Sequence, residues 1–134
     1  DLPSMNFVGC ATLAASHLRS PRPVAPLVEE FERGALSDTA SRIGLQATEM
    51  RAGVPSDLAR WASRLGVTQI VTPYIPNGPL RDWILEAMPA LEEAAIDLVE
   101  WRRGWDSAIW PHATAGFFKV KKQIPAIMKG IGLT

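Results

Sequence analysis

The densest grouping of chemically capable side chains in this sequence is the run Trp105-Asp106-Ser107-Ala108-Ile109-Trp110-Pro111-His112-Ala113-Thr114. Asp106 and His112 are the residue types of an acid and base pair, and Ser107 and Thr114 carry hydroxyls that such a pair activates as nucleophiles. That chemistry needs the base within hydrogen-bond reach of the hydroxyl, which closeness in sequence does not impose. Each residue also has a quieter use. Asp and Ser ahead of a short helix serve as caps, Trp110 packs in a core, and a His among aromatics is held by hydrogen bonds. The quieter uses are the expectation for this run, and no complete catalytic apparatus is expected in the chain.

The second grouping is the loop Pro73-Tyr74-Ile75-Pro76-Asn77-Gly78-Pro79. It follows a run rich in β-branched residues, and ligands of open parallel sheets lie beyond the carboxyl ends of the strands. Backbone amides at Gly78 and at a helix start near Leu80 would face an anion or a polar ring substituent, with Tyr74 and Asn77 beside them. The plainer reading of Pro76-Asn77-Gly78-Pro79 is a tight turn. The ligand-binding candidates are therefore Tyr74, Asn77, Gly78, Asp106, Trp110 and His112, with no catalytic residue assigned. Neither the G-x-G-x-x-G fingerprint nor a G-x-x-x-x-G-K-[ST] loop occurs, so the two commonest phosphate cradles are missing. His17 and His112 lie far apart, outside any H-x-x-x-H or C-x-x-C spacing, and no metal centre is expected.

A third grouping is electrostatic. From Arg102 onward the chain carries Arg103, Lys119, Lys121, Lys122 and Lys129 against Asp106 alone, with Phe117 and Phe118 interleaved. That mixture suits nucleic acid or an acidic neighbour, although a solvated basic helix face is the plainer reading.

The elements that must position these groups follow from the hydrophobic pattern. Residues 5–14 form an apolar run without helical period, as a strand buried on both faces does. Val24, Leu27, Val28 and Phe31 recur at helical spacing with Glu29, Glu30 and Glu32 between them, which predicts an amphipathic helix ending near Gly34. Ser37 or Asp38 then caps a second short helix to Gly44, and residues 45–51 alternate as a strand. Ser56 is the expected N-cap of a helix with Leu58, Trp61, Ala62 and Leu65 on one face, stopped by Gly66. Residues 67–72 read as the third strand. A helix from near Leu80 follows, with Trp83, Ile84, Ala87 and Met88 on its apolar face and a kink or restart at Pro89. Residues 96–101 read as the fourth strand. Beyond them lies an aromatic-rich tail expected to cover the sheet, with a terminal helix over residues 117–128 weakened at Pro125, Gly130 and Gly132. Strand, helix and strand alternating in this way predict a three-layer, Rossmann-like α/β domain whose mostly parallel sheet has about four or five strands.

Composition sets the outer bounds. The 134 residues suffice for one core, so a single α/β domain over residues 1–134 is expected, with 102–134 as the covering tail. Apolar residues make up 47% and charged residues 21%, and a formal net charge of zero gives no long-range field toward nucleic acid or an anionic membrane. The single cysteine, Cys10, excludes an internal disulfide and leaves the cytoplasm as the expected compartment. Pro, Arg or Glu interrupts every apolar run before the roughly 18 to 20 residues a membrane span needs. Phe7-Val8-Gly9-Cys10 loosely resembles the end of a lipoprotein signal but lacks a basic start and a long apolar stretch. The chain begins at Asp1 rather than Met, as a processed or truncated piece of a longer protein would.

Two stretches carry a resemblance to a known family: Val71-Thr72-Pro73-Tyr74-Ile75-Pro76-Asn77-Gly78-Pro79, and Trp105-Asp106 followed by Trp110-Pro111-His112-Ala113-Thr114-Ala115-Gly116-Phe117-Phe118. They resemble the C-terminal portion of bacterial deoxyribodipyrimidine photolyases and photolyase-like FAD-binding proteins, and a looser similarity runs over residues 12–124. The resemblance implies a flavoprotein family that uses light-driven electron transfer from FAD to split pyrimidine dimers, or senses light. FAD in such proteins sits in a separate helical domain, so no flavin- or dimer-contacting residue carries over to this chain. A helical flavin-binding domain or subunit is the implied partner, DNA a partner of the full-length protein, and an antenna chromophore a ligand that the crevice beside Tyr74 and Asn77 would suit. The five tryptophans, Trp61, Trp83, Trp101, Trp105 and Trp110, are read as packing residues. A stand-alone small-ligand or protein-interaction module without catalysis is the alternative, and a small hydrolase centred on Asp106 and His112 a weaker third.

Overall fold

A computed structural model describes residues 5–132 and has mixed α/β architecture. Two β-α-β units follow one another. In the first, β1 (Cys10–Ala14) leads through a 3-10 turn (Ser16–Arg19) and α1 (Pro26–Ile43) to β2 (Ala47–Arg51). Then α2 (Ser56–Leu65) crosses to the second unit, formed by β3 (Gln69–Pro73), α3 (Pro79–Glu93) and β4 (Asp97–Trp101). The chain ends in α4 (Gly104–Ile109), a 3-10 turn (Trp110–His112) and α5 (Gly116–Gly130).

Both strand pairs are parallel, as crossover helices require. Cys10 stands opposite Ala47 and Ala14 opposite Arg51; Gln69 stands opposite Asp97 and Pro73 opposite Trp101. The four strands therefore form two two-stranded sheets rather than one ladder of four or five. Between β1 and β3 lies an apolar cavity of about 430 Å³ bordered by Leu13, Leu36, Met50, Trp61 and Val71. The carboxyl ends of the pairs nevertheless gather in one core, because Ala15, Ala52 and Ile75, each just beyond a strand, are buried in the same cluster.

That cluster centres on α2 and α3. Ala62, Ala87 and Leu91 are fully buried, with Ala59, Leu58, Trp83 and Ile84 around them. Small residues on facing helices let the backbones approach, and the larger neighbours fill the flanks. Two polar contacts pin this core to the carboxyl end of β2: the Trp83 indole N–H donates to the Gly53 carbonyl at 2.8 Å and the His17 Nε2–H to the Ala52 carbonyl at 2.9 Å. Both satisfy groups that burial would otherwise leave unpaired.

Several elements differ from the sequence reading. The first strand begins at Cys10 rather than residue 5, since its partner begins only at Ala47. The two helices expected around Gly34 are one 18-residue helix that ends at Gly44. Gly34 lies on the exposed side of α1, and its helix-weakening cost, about 1 kcal/mol against Ala, is too small to break a helix held at both ends. The expected inward face of α1 is turned outward: Leu27 is 78% and Phe31 77% exposed, while Ala40 is buried. Glu32 turns in instead, and its carboxylate accepts the backbone N–H groups of Ala15 and Ser16 at 3.0 and 3.1 Å. Ser56 is the first residue of α2 and not its cap, whereas Gly66 ends the helix as expected, with φ of 67°. The third strand starts two residues late, and α3 runs through Pro89 without a restart, Pro89 being exposed on the solvent side. Pro125 is likewise accommodated inside α5.

The accessible surface of 9471 Å² exceeds the roughly 6,900 Å² that the area law gives for a compact monomer of this length. The tail contributes to this excess, most of α5 being exposed. It was expected to cover the strands, yet α5 packs along α4 and the adjoining 3-10 turn and buries no residue. No helix among the described residues is long and apolar enough to cross a membrane.

Replacing Leu91, the fully buried leucine of the core cluster, with Ala is expected to cost about 2 to 5 kcal/mol, read as a lowered urea midpoint at unchanged slope. Glu32 yields a second expectation. Partial burial pushes its carboxyl up, but the Ser16 side chain, the Ala15 and Ser16 amides and the charge of Arg19 outweigh this and hold it below its ordinary value. A lowered folded value means stability that is complete above the ordinary carboxylate range and lost as pH falls through the lowered one. Glu32→Gln is expected to remove about 1 kcal/mol at neutral pH and to flatten the acid limb of an unfolding-midpoint against pH series.

Candidate functional site

The carboxyl ends of β3 and β4 hold the most chemically specific surface of the described residues. The ladder that sets Pro73 opposite Trp101 continues one step further, with the Tyr74 N–H donating to the Trp101 carbonyl at 2.9 Å. Tyr74 is thereby held beside Arg102. α4 and its 3-10 turn then swing Trp110 over the same spot, and the Tyr74 and Trp110 rings meet edge to face with centroids 4.9 Å apart. The Arg102 guanidinium lies 5.7 Å from the Tyr74 centroid and 5.4 Å from that of Trp110, while its Nε–H donates to Ser107 Oγ at 3.0 Å. Arg81, from the first turn of α3, stands 5.6 Å from the Tyr74 ring. Aromatic faces attract such cations at these distances.

The five charged side chains here divide into two ion pairs and one cation without a carboxylate partner among the described residues. Arg81 and Glu100 form a half-buried ion pair: Arg81 Nη2 donates to Glu100 Oε2 at 2.9 Å and to the Ile75 carbonyl, and Nη1 faces Glu100 Oε1. The Glu100 hydrogen bond raises Arg81 further above its already high value. Arg103 holds both oxygens of Asp106, at 2.7 and 2.8 Å, and this bond keeps the Asp106 carboxyl below its ordinary value. Arg102 has no carboxylate partner among the described residues. The result is an aromatic nest around one guanidinium that is in no ion pair among the described residues, open to solvent, with Trp110 41% exposed. Such a nest offers a stacking surface and a planar set of N–H donors suited to an anionic or polar ring.

The two groupings singled out in the sequence thus meet, through Tyr74 and Trp110. Asn77 and Gly78 lie in the turn that starts α3, where Gly78 takes a φ of 148°, a conformation closed to residues with a Cβ, and its carbonyl accepts the Asp82 N–H. His112 closes the 3-10 turn and is partly buried. Asp106 and Ser107 are not caps, since α4 begins at Gly104 and shows no side-chain cap. Nor do they form a catalytic pair with His112: Asp106 is taken by Arg103 and Ser107 accepts from Arg102. Burial pushes the Cys10 thiol up, away from the thiolate a nucleophile needs. Among the tryptophans, Trp61 and Trp83 are core residues as read, and Trp110 is a half-exposed ring of the nest.

Arg81, Glu100 and Arg102 were missed as site residues. Parallel register was the available signal: the offset of 28 that pairs Gln69 with Asp97 also aligns Thr72 with Glu100 and Tyr74 with Arg102. At the other strand end the amides after β1 are bound by Glu32, which lines a cavity of about 650 Å³ together with Ser16, His17 and Arg51.

Comparison with protein-family models, with curated proteins and with solved structures finds no match for this chain.

Trp110→Ala removes one ring of the nest. It is expected to lower stability by about 1 kcal/mol with unchanged far-ultraviolet circular dichroism, and to make Tyr74 more accessible to a collisional quencher.

Proposed function

We propose that this chain is the accessory α/β region of a photolyase-related flavoprotein acting in light-dependent DNA repair, and that it contributes docking and an antenna-type ligand crevice rather than bond chemistry. The observation that carries the reading is the contact between Tyr74 and Trp110, which joins the two segments whose residues resemble that family. In support, the Ser107 hydroxyl accepts from Arg102, the Asp106 carboxylate is held by Arg103, and burial pushes the Cys10 thiol up, away from the roles a hydrolase would give them. The surface excess over a compact monomer also suits a piece that packs against something else.

In the assembled protein, on this reading, the edges of β1 and β3 close into one Rossmann-like parallel sheet in the order β2-β1-β3-β4. The shared core of their carboxyl ends supports this. For FAD, the nest among the described residues is an open surface, and the amides after β1 that would face its phosphates are taken by Glu32. The flavin is therefore assigned to a separate helical domain or subunit, DNA is reached through the full-length protein in the cytoplasm, and no photochemical step is derived for residues here.

The natural full-length gene product is expected to purify yellow, with flavin absorption, and to restore ultraviolet-damaged plasmid under blue light. A colourless product without light-dependent repair would overturn the proposal in favour of a stand-alone ligand or interaction module.

A further inference from the structure

The charges of this chain are segregated along it. Before residue 102, eight arginines stand against thirteen carboxylates, an excess of five negative charges; from residue 102 onward, six cations stand against Asp106 alone, an excess of five positive. α5 holds most of the second group, and it also bears Phe117 and Phe118, which are exposed and stacked edge to face at 5.7 Å. Lys121 and Lys122 follow one turn later, exposed and in no ion pair among the described residues.

The opening turns of α1 present the complement. Leu27 and Phe31 are largely exposed and Val28 is partly so, with Glu30 beside them, exposed and likewise in no ion pair among the described residues, whereas Glu29 turns inward with Glu32. Residues three and four apart on a helix are surface neighbours. Each helix therefore shows an exposed apolar group with charge beside it, Lys121 and Lys122 on α5 and Glu30 on α1, and the two charges are opposite.

We propose that α5 of one copy docks on the face of α1 bearing Leu27 and Phe31 in a second copy, with the exchange made reciprocally. Burial of the phenylalanines supplies the drive, and Lys121 and Lys122 against Glu30 select the partner. The surface excess of roughly 2,500 Å² per chain over a compact monomer is ample for the roughly 800 Å² that each partner of a stable interface contributes. A reciprocal exchange closes at two chains, satisfies both faces and leaves no repeating contact for a fibre. The inference stands on charge and exposure alone and does not rest on the flavoprotein reading.

Light scattering coupled to gel filtration, at low and high salt, tests it with two charge reversals, Lys121→Glu with Lys122→Glu, and Glu30→Lys. The wild-type chain is expected to dimerise at low salt and to weaken at high salt. Each reversed variant, with its circular dichroism unchanged, is expected to associate at least roughly tenfold more weakly, and an equimolar mixture of the two to recover the dimer, since both exchanged contacts are then complementary. A wild-type monomer at low salt, with or without duplex DNA bound through its lysines, overturns the proposal, as does wild-type association in either reversed variant or a mixture that stays monomeric.

Discussion

The close approach of α2 and α3 over Ala62 and Ala87 is the contact on which the remaining structure depends. The strands of the two β-α-β units share no ladder, so this helix pair, with the residues just past the strand ends, is what makes one molecule of them. Alanine at both positions serves that purpose because a larger side chain would hold the helices apart, and the gain from apolar burial falls steeply with any gap. Leu58, Trp83, Ile84 and Leu91 then seal the joint. The same joint puts the first turn of α3 where Arg81 reaches both Ile75 and Glu100, so the core contact and the surface nest are coupled through a single helix.

Much of the architecture is legible in residue order. β-branched runs alternating with helical periods announce parallel strands and crossovers, and Gly66 marks a helix end through its left-handed backbone. Periodicity failed where a helix has two apolar sides. On α1, the spacing of Val24, Leu27, Val28 and Phe31 identifies a face but not which way it points, and a carboxylate that satisfies two strand-end amides decided the matter in favour of Glu32. Prolines misled for a related reason, since Pro89 and Pro125 occupy helix positions facing solvent, where a missing N–H is cheaply replaced by water.

The nest was half visible. Tyr74 and Trp110 stand out by type, and the loops that bear them stand out by their prolines and glycines. Arg102 and Glu100 do not, because an arginine or glutamate at a strand end is unremarkable until the neighbouring strand and its register are known. What the register adds is the placement of Arg102 beside Tyr74, the one of the three arginines around Tyr74 and Asp106 that is in no ion pair among the described residues.

One last feature concerns the distribution of amines. All four lysines of the chain, Lys119, Lys121, Lys122 and Lys129, lie within α5. Side-chain acylation, reductive methylation or cleavage by a lysine-directed protease would therefore act on one helix and leave the α/β body untouched. Enzymes that modify lysines have, in the same way, only this terminal helix to address.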